Sequence, residues 1–189
     1  EDDDTSWIKH PVIPFSTDPK YKNRRNAKVF KILPFAFFPD FYFWVDSTHI
    51  LEVDPREVID TYLKDSDVAV FKHPYRDCIY IEGEFVKDIG FDHANLLEDQ
   101  LAFYKDMCYP DHNGLYELPA RVQRNTSLTQ QMGWMWWEQI CMFSSRDQIS
   151  FPFVCHQLRI KPSIIPGVAN TIRGNTIMHQ IVLSNHSRT

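Results

Sequence analysis

The sequence predicts a three-layer α/β domain. Three observations carry that reading. Short strand-like apolar runs alternate with helical segments along the chain. The run Phe41-Tyr-Phe-Trp-Val45 is apolar on both faces, as a buried central strand requires, and it stops abruptly at Asp46. At 189 residues, 43% hydrophobic and 24% charged, the chain has the size and composition of one domain with a substantial core, taken as residues 1–189. In open α/β sheets ligands bind beyond the carboxyl ends of the strands. Asp46 therefore stands where an anion, a metal ion or a reacting group would meet it.

Each element follows from local signals. Residues 7–15 read as a short strand and turn. The opening Glu1–Trp7 gives no full first strand and no Met leads it, which predicts a chain trimmed at its start or lacking its first βα unit. Asp18-Pro19 starts a turn. Asn23–Phe35 reads as a helix with Val29, Phe30, Ile32 and Leu33 on its buried face. Arg24, Arg25, Lys28 and Lys31 add four positive charges. Such charges ordinarily form a solvated face; directly ahead of the Asp46 strand they also suit an anion. A second apolar run, Ile50–Val53, ends at Asp54-Pro55. Asp54 as cap, Pro55 at the first helical position and Glu57 completing a capping box predict a helix to about Lys64 and give Asp54 a structural role.

Val68–Phe71 reads as a strand ending at Lys72-His73-Pro74. Arg76–Ile89 and His93–Met107 read as two helices broken at Gly90, and Pro110–Gly114 as a turn. Leu115–Val122 is a predicted strand. Ser127–Phe143 is a predicted helix whose core stripe is Trp134, Trp137, Ile140 and Cys141. Ser145 caps a further helix, residues 160–166 return as a strand, and the polar tail from Asn170 shows no defined element.

Composition narrows the partners. A net charge of −5 gives no general attraction to nucleic acid. No apolar run is long enough to span a membrane. The four cysteines, at 78, 108, 141 and 155, form no close pair and no metal-ligand spacing. Free thiols predict a reducing, cytoplasmic compartment, with the Golgi lumen as the alternative if the chain is part of a longer protein. Asn125 and Asn185 open glycosylation sequons. Aromatics, at 14%, suit core filling better than sugar or base platforms.

Several motifs follow one another in a specific order: Arg24-Arg-Asn-Ala-Lys-Val-Phe-Lys-Ile-Leu-Pro34, Phe38-Pro-Asp40, Trp44-Val-Asp-Ser-Thr48 and Val53-Asp-Pro55. Phe71-Lys-His-Pro-Tyr-Arg-Asp-Cys-Ile-Tyr80 with Glu82 and Glu84, and Phe143-Ser-Ser-Arg-Asp-Gln-Ile-Ser-Phe151, come after them. Together, over residues 7–160, they resemble a glycosyltransferase-like family long catalogued as a domain of unknown function, whose plant members are related to seed mucilage biosynthesis. The pattern is also similar to the wider GT-A nucleotide-sugar transferases, such as glycogenin-type enzymes.

The resemblance implies a GT-A (Rossmann-like) three-layer sandwich with a central mixed sheet. It implies transfer of a sugar from a nucleotide-diphosphate donor to a glycan or glycoconjugate acceptor. Lys31, with Arg24 and Arg25, would meet the diphosphate. Asp46 would stand for the first carboxylate of an Asp-x-Asp motif, with Thr48 where the second is expected. Asp46 and Thr48 would then hold Mn²⁺ or Mg²⁺ as a Lewis acid, with His49 and His179 as possible third ligands. Asn113, Gly114 and Gln148 would approach the donor sugar. Arg76, in a cluster with His73, Asp77, Glu82 and Glu84, would touch donor or acceptor. Asp147 would serve as general base if the reaction inverts configuration, or position the sugar if it retains it. Two other readings stand beside this one. A non-catalytic nucleotide-sugar or carbohydrate-binding module suits the incomplete Asp-x-Asp and the missing opening strand. A metal-dependent hydrolase would use Asp46, Asp147 and a His, though no HExxH or paired-carboxylate motif is present.

Overall fold

The computed structural model describes residue 11 and residues 14–181. It is an α/β fold built on a four-stranded mixed sheet. In chain order the elements are α1 (Lys22–Ile32), β1 (Phe41–Val45), β2 (His49–Leu51), α2 (Pro55–Tyr62), β3 (Val68–Lys72), α3 (Ile79–Asp88) and α4 (Ala94–Asp106). Then come β4 (Tyr116–Arg124), α5 (Ser127–Met142), α6 (Asp147–Gln157), β5 (Ser163–Ile165) and β6 (Met178–Gln180). The main sheet runs β1-β4-β3-β5, with β3 and β5 parallel and the other pairs antiparallel. A second sheet pairs β2 with β6. The strand expected over residues 7–15 falls largely outside the described residues.

Both faces of the sheet are covered, and the period-two pattern of β3 shows how. Val68 and Val70 join one core with Ile32, Met132, Trp136 and Ile149 from α1, α5 and α6. Ala69 and Phe71 join the other, with Val58 of α2 and Met178 of β6. Local signals explain the clearest boundaries. Asp54 accepts a hydrogen bond from the Arg56 amide at 2.8 Å and Pro55 opens α2, as expected. Gly90 breaks α3 from α4 with φ at +64°, a left-handed turn natural to glycine. Thr126 and Thr129 form a reciprocal cap on α5.

Four expectations are corrected. β1 is an edge strand, half-buried along most of its length, rather than a buried central one. Tyr42 and Trp44 on one face continue an aromatic ladder from Phe38, with ring centroids 5.6 and 6.3 Å apart, while Phe43 on the other face packs against the second core. The buried stripe of α5 is Met132, Gly133, Trp136, Gln139 and Ile140, while Trp134 is 57% exposed and Cys141 is exposed. Ser145 does not cap α6; its amide and hydroxyl both donate to Asp92, at 2.8 and 2.6 Å. Within the tail beyond Asn170, Met178–Gln180 form β6.

β4 is an interior strand that carries Pro119, which has no N–H to give a ladder. The strand accommodates it by breaking register: Val70 pairs with Arg121 but Phe71 pairs with Glu117. The Asp46 amide donates to the Pro119 carbonyl at 2.7 Å. Proline inside a sheet is confined to edges and bulges, and bulges re-aim side chains beside sites. The break lies directly alongside Asp46.

Helix α1 lies close against α5. A Cβ built on Gly133 would sit 2.8 Å from the Ile32 carbonyl oxygen and 2.7 Å from Phe35 Cε1. Gly133→Ala should therefore destabilise the fold by about 1–3 kcal/mol. A urea denaturation midpoint unchanged by the substitution would show that the two helices have room to spare.

Candidate functional site

One face of α1 makes one wall of a cleft. Arg24, Ala27, Lys28 and Lys31 recur at helical spacing, and all four line an open cavity of about 320 Å³. Trp44 and Asp46 at the end of β1, Glu117–Pro119 of β4, Arg146, Asp147 and Gln148 at the start of α6, and Asn170 complete it. On a chain of net charge −5, this lining carries four cationic and three acidic side chains.

The centre of the cleft wall is a shared ion pair. Lys28 Nζ lies 2.7 Å and Lys31 Nζ 2.8 Å from the same oxygen, Oδ2, of Asp147. All three residues are buried, with Lys31 at 3% exposure and Lys28 at 8%. Burial alone would raise the Asp147 carboxyl pKa. The two ammonium groups outweigh it and hold the carboxyl far below the ordinary carboxylate range. Burial pushes the Lys28 ammonium down to about 8, against the attraction of Asp147. Two ammonium groups share this one carboxylate, so the second positive charge needs another anion. Asp46 is the nearest further anion, with Oδ1 at 3.4 Å from Lys31 Nζ and its side chain 39% exposed. At that distance and exposure the contact with Lys31 is weak.

The surroundings fix this geometry. Arg121, fully buried on β4, donates to the Lys31 backbone carbonyl and lies over the rings of Trp136 (4.8 Å to the centroid) and Tyr42 (5.9 Å). Asp92 holds Ser145, and so the turn that delivers Arg146 and Asp147 to the cleft. Glu117 accepts from the Ala169 amide at 2.8 Å and the Asn170 side chain at 2.6 Å, closing the far end.

Of the residues expected at the site, the structure brings together Asp46, Lys31, Arg24, Asp147 and Gln148. It places the others elsewhere. Arg25 faces away and donates to the Ile140 and Phe143 carbonyls at 2.8 and 2.6 Å, at the end of α5. Asn113 lines a separate groove with His156, and the Gly114 amide bonds the Asp77 carbonyl. Arg76 pairs with Glu82 at 2.5 Å and covers the Phe85 ring. His179 pairs with Glu52 at 2.9 Å. Arg146, Glu117 and Asn170 lie outside the ligand-facing group that the sequence implies, whereas Lys28 belongs to the four α1 charges that suit an anion. Lys28 lies one helical turn from both Arg24 and Lys31.

Asp46 and Thr48 do not fit a protein-held divalent ion. Asp46 Oδ1 accepts the Trp44 indole N–H at 2.5 Å, besides its contact with Lys31. Thr48 Oγ1 and His49 Nδ1 are 3.0 Å apart, and neither residue lines the cleft. Nε2 of the buried His49 has no hydrogen-bond partner among the described residues. Yet among those residues no group of three His, Cys, Asp or Glu side chains converges as a metal site would. An ion on Asp46 Oδ1, at about 2.1 Å, would stand within about 5.5 Å of the Lys31 ammonium. Their repulsion would cost about 6 kcal/mol at an effective dielectric of about 20.

The sequence matches the TOD1/MUCI70, glycosyltransferase-like domain family over residues 7–181. It is similar to the probable hexosyltransferase MUCI70 of Arabidopsis thaliana, 28% identical over 157 residues that cover 76% of this chain and 27% of that relative. The chain thus spans about a quarter of that relative's length. No solved structure matches. No helix among the described residues is long and apolar enough to cross a membrane.

Asp147→Asn would leave two buried ammonium groups without their anion and should destabilise the fold by about 3–5 kcal/mol. The Asp147 pKa is depressed, so its contribution is present above the unfolded carboxyl pKa of about 3.9 and fades as pH falls below it. The stability gap between wild type and variant should accordingly narrow in acid. Chemical denaturation at pH 7 and pH 3 measures both effects; a gap that does not change between them would contradict the assignment.

Proposed function

The chain belongs to the TOD1/MUCI70 glycosyltransferase-like domain family, and on that premise we propose that it transfers a sugar from a nucleotide-diphosphate donor to a hydroxyl of a glycan or glycoconjugate acceptor. One observation carries the reading: Lys28 and Lys31 converge on Asp147 in the same open cleft that receives Asp46.

The chemistry asks for that combination. The bond from the anomeric carbon to the diphosphate oxygen breaks, and the departing nucleoside diphosphate keeps the electron pair. A bond from the acceptor hydroxyl oxygen to the anomeric carbon forms, and the hydroxyl proton leaves to a base or to water. Negative charge grows on the leaving oxygen while the sugar becomes cationic. The site therefore needs fixed positive charge on one side and a carboxylate on the other. Lys28, Lys31, Arg24 and Arg146 supply the first. Asp46, the more exposed carboxylate, faces the sugar. Asp147 is a poor proton acceptor with two ammonium groups on it, so its part is to hold the lysines in place rather than to act as the base. The start of α6 adds a favourable dipole for an anion.

The second reading, a non-catalytic nucleotide-sugar-binding module, is favoured by Asp46-Ser-Thr48 in place of paired carboxylates. It uses the same cations but consumes no donor. Incubation with UDP- and GDP-sugars separates the two, because slow release of nucleoside diphosphate without acceptor marks a transferase. Asp46→Asn should lower turnover at least 100-fold; undiminished turnover would remove Asp46 from the reaction.

Donor binding should also depend on pH. Lys28 faces Asp147 from α6, Lys31 on its own helix and Asp46 from β1. A bound diphosphate favours the charged ammonium, so affinity should fall as pH rises through about 8, by up to tenfold per unit. Calorimetric titration of UDP and GDP from pH 7 to 9.5 reads this directly. The slope should flatten in Lys28→Met, and one that persists there belongs to another group.

A further inference from the structure

We propose that this cleft neutralises the donor diphosphate with protein cations, Lys28 and Lys31 braced on Asp147 with Arg24 and Arg146 beside them, in place of a divalent metal ion. The inference rests on the donor-binding reading above and specifies how that site handles charge.

A structural ion pair between α1 and α6 needs one ammonium for one carboxylate. Here two buried ammonium groups converge on one oxygen, at 2.7 and 2.8 Å. The other anion within reach of Lys31, Asp46, is 3.4 Å away and 39% exposed, so it compensates that buried charge only weakly, and an under-compensated buried charge is costly. Its retention at the wall of an open cleft points to an anion that arrives from solution. Arg24 and Arg146 line the same cavity, and the arginine fork suits phosphate oxygens bidentately where lysine acts as a point charge. The positive charge is thus built from side chains already held in position.

The acidic corner of the cleft is arranged the other way. Asp46 Oδ1 is already engaged by an indole N–H and an ammonium group, so Oδ2 alone is left to face an ion. It is one carboxylate followed by Ser47 and Thr48, and Thr48 lies outside the cleft. An ion placed there would be repelled by the cations that the diphosphate needs. The two solutions to the same charge problem compete for one space, and the side chains favour the lysines.

Asp46 gives the two solutions opposite signs. If Asp46 holds a metal that bridges to the diphosphate, Asp46→Asn weakens nucleotide binding. If Lys31 serves the diphosphate directly, Asp46 competes with the ligand for that ammonium, and Asp46→Asn leaves binding equal or tighter.

The test is calorimetric titration of the wild-type protein with UDP, GDP and inorganic pyrophosphate, in EDTA and in millimolar MnCl₂, repeated with Asp46→Asn. The expected result is a Kd within about threefold between the two media, and unchanged or tighter binding in Asp46→Asn. Lys31→Met, and the milder Lys31→Arg should the first fold poorly, should weaken binding in both media, the Met variant by tenfold or more. Binding that appears only with Mn²⁺ and is lost in Asp46→Asn would overturn the proposal while leaving the donor-binding reading intact. No binding of any of the three probes in either medium would overturn both.

Discussion

Everything in the cleft depends on one ionic junction. Asp147 begins α6 and takes the ammonium groups of Lys28 and Lys31 from α1, joining elements that are far apart in sequence and lie over the same face of the sheet. A buried ion pair contributes little net stability beside well-packed apolar groups, but it tolerates little displacement. Each cation must stay within reach of its anion or stand uncompensated out of water. The junction therefore sets the relative position of α1 and α6 more narrowly than apolar contact would. Arg121 reinforces it from beneath by gripping the Lys31 carbonyl, so that a fourth buried charge constrains the same turn of helix.

Local chemistry was legible in the sequence. Asp54-Pro55, Gly90 and the apolar run of β3 each fix an element by their own conformational preference, and each appears where expected. What sequence could not express was neighbourhood. An apolar run on both faces reads as a central strand, but β1 satisfies the same pattern at the sheet edge, with Tyr42 and Trp44 in an aromatic ladder on one face and Phe43 against the second core on the other. The α5 stripe was misphased because apolar residues lie on more than one side of that helix, and polar Gln139 belongs to the buried side. β6 is three residues long and exists only through pairing with β2. No window along the chain contains that information.

The site divides in the same way. Asp46, Lys31, Arg24, Asp147 and Gln148 share one cleft, as the sequence implies, because each sits at an element end or on a helix face whose direction can be read locally. Arg25 was misassigned although it neighbours Arg24, since one residue along a helix turns the side chain by about 100°. Its guanidinium meets the carbonyls ending α5 instead. Glu117 and Asn170 depend on the register break at Pro119 and on a loop that folds back over it. Asn113, Gly114 and Arg76 carried the right chemistry on loops whose placement only the tertiary fold decides.

The small β2–β6 sheet has a practical consequence. The Ile181 amide bonds the Thr48 carbonyl at 2.9 Å, and Gln180, His179 and Met178 pair in turn with His49, Ile50 and Leu51. The segment just after Asp46 is thus laced to a stretch more than 120 residues downstream. Any expression boundary drawn at the last predicted strand, near residue 166, would cut those laces and leave the segment just after Asp46 without its strand partner. A fragment so shortened would keep every residue named in the reaction and still lose the hand that holds one of them.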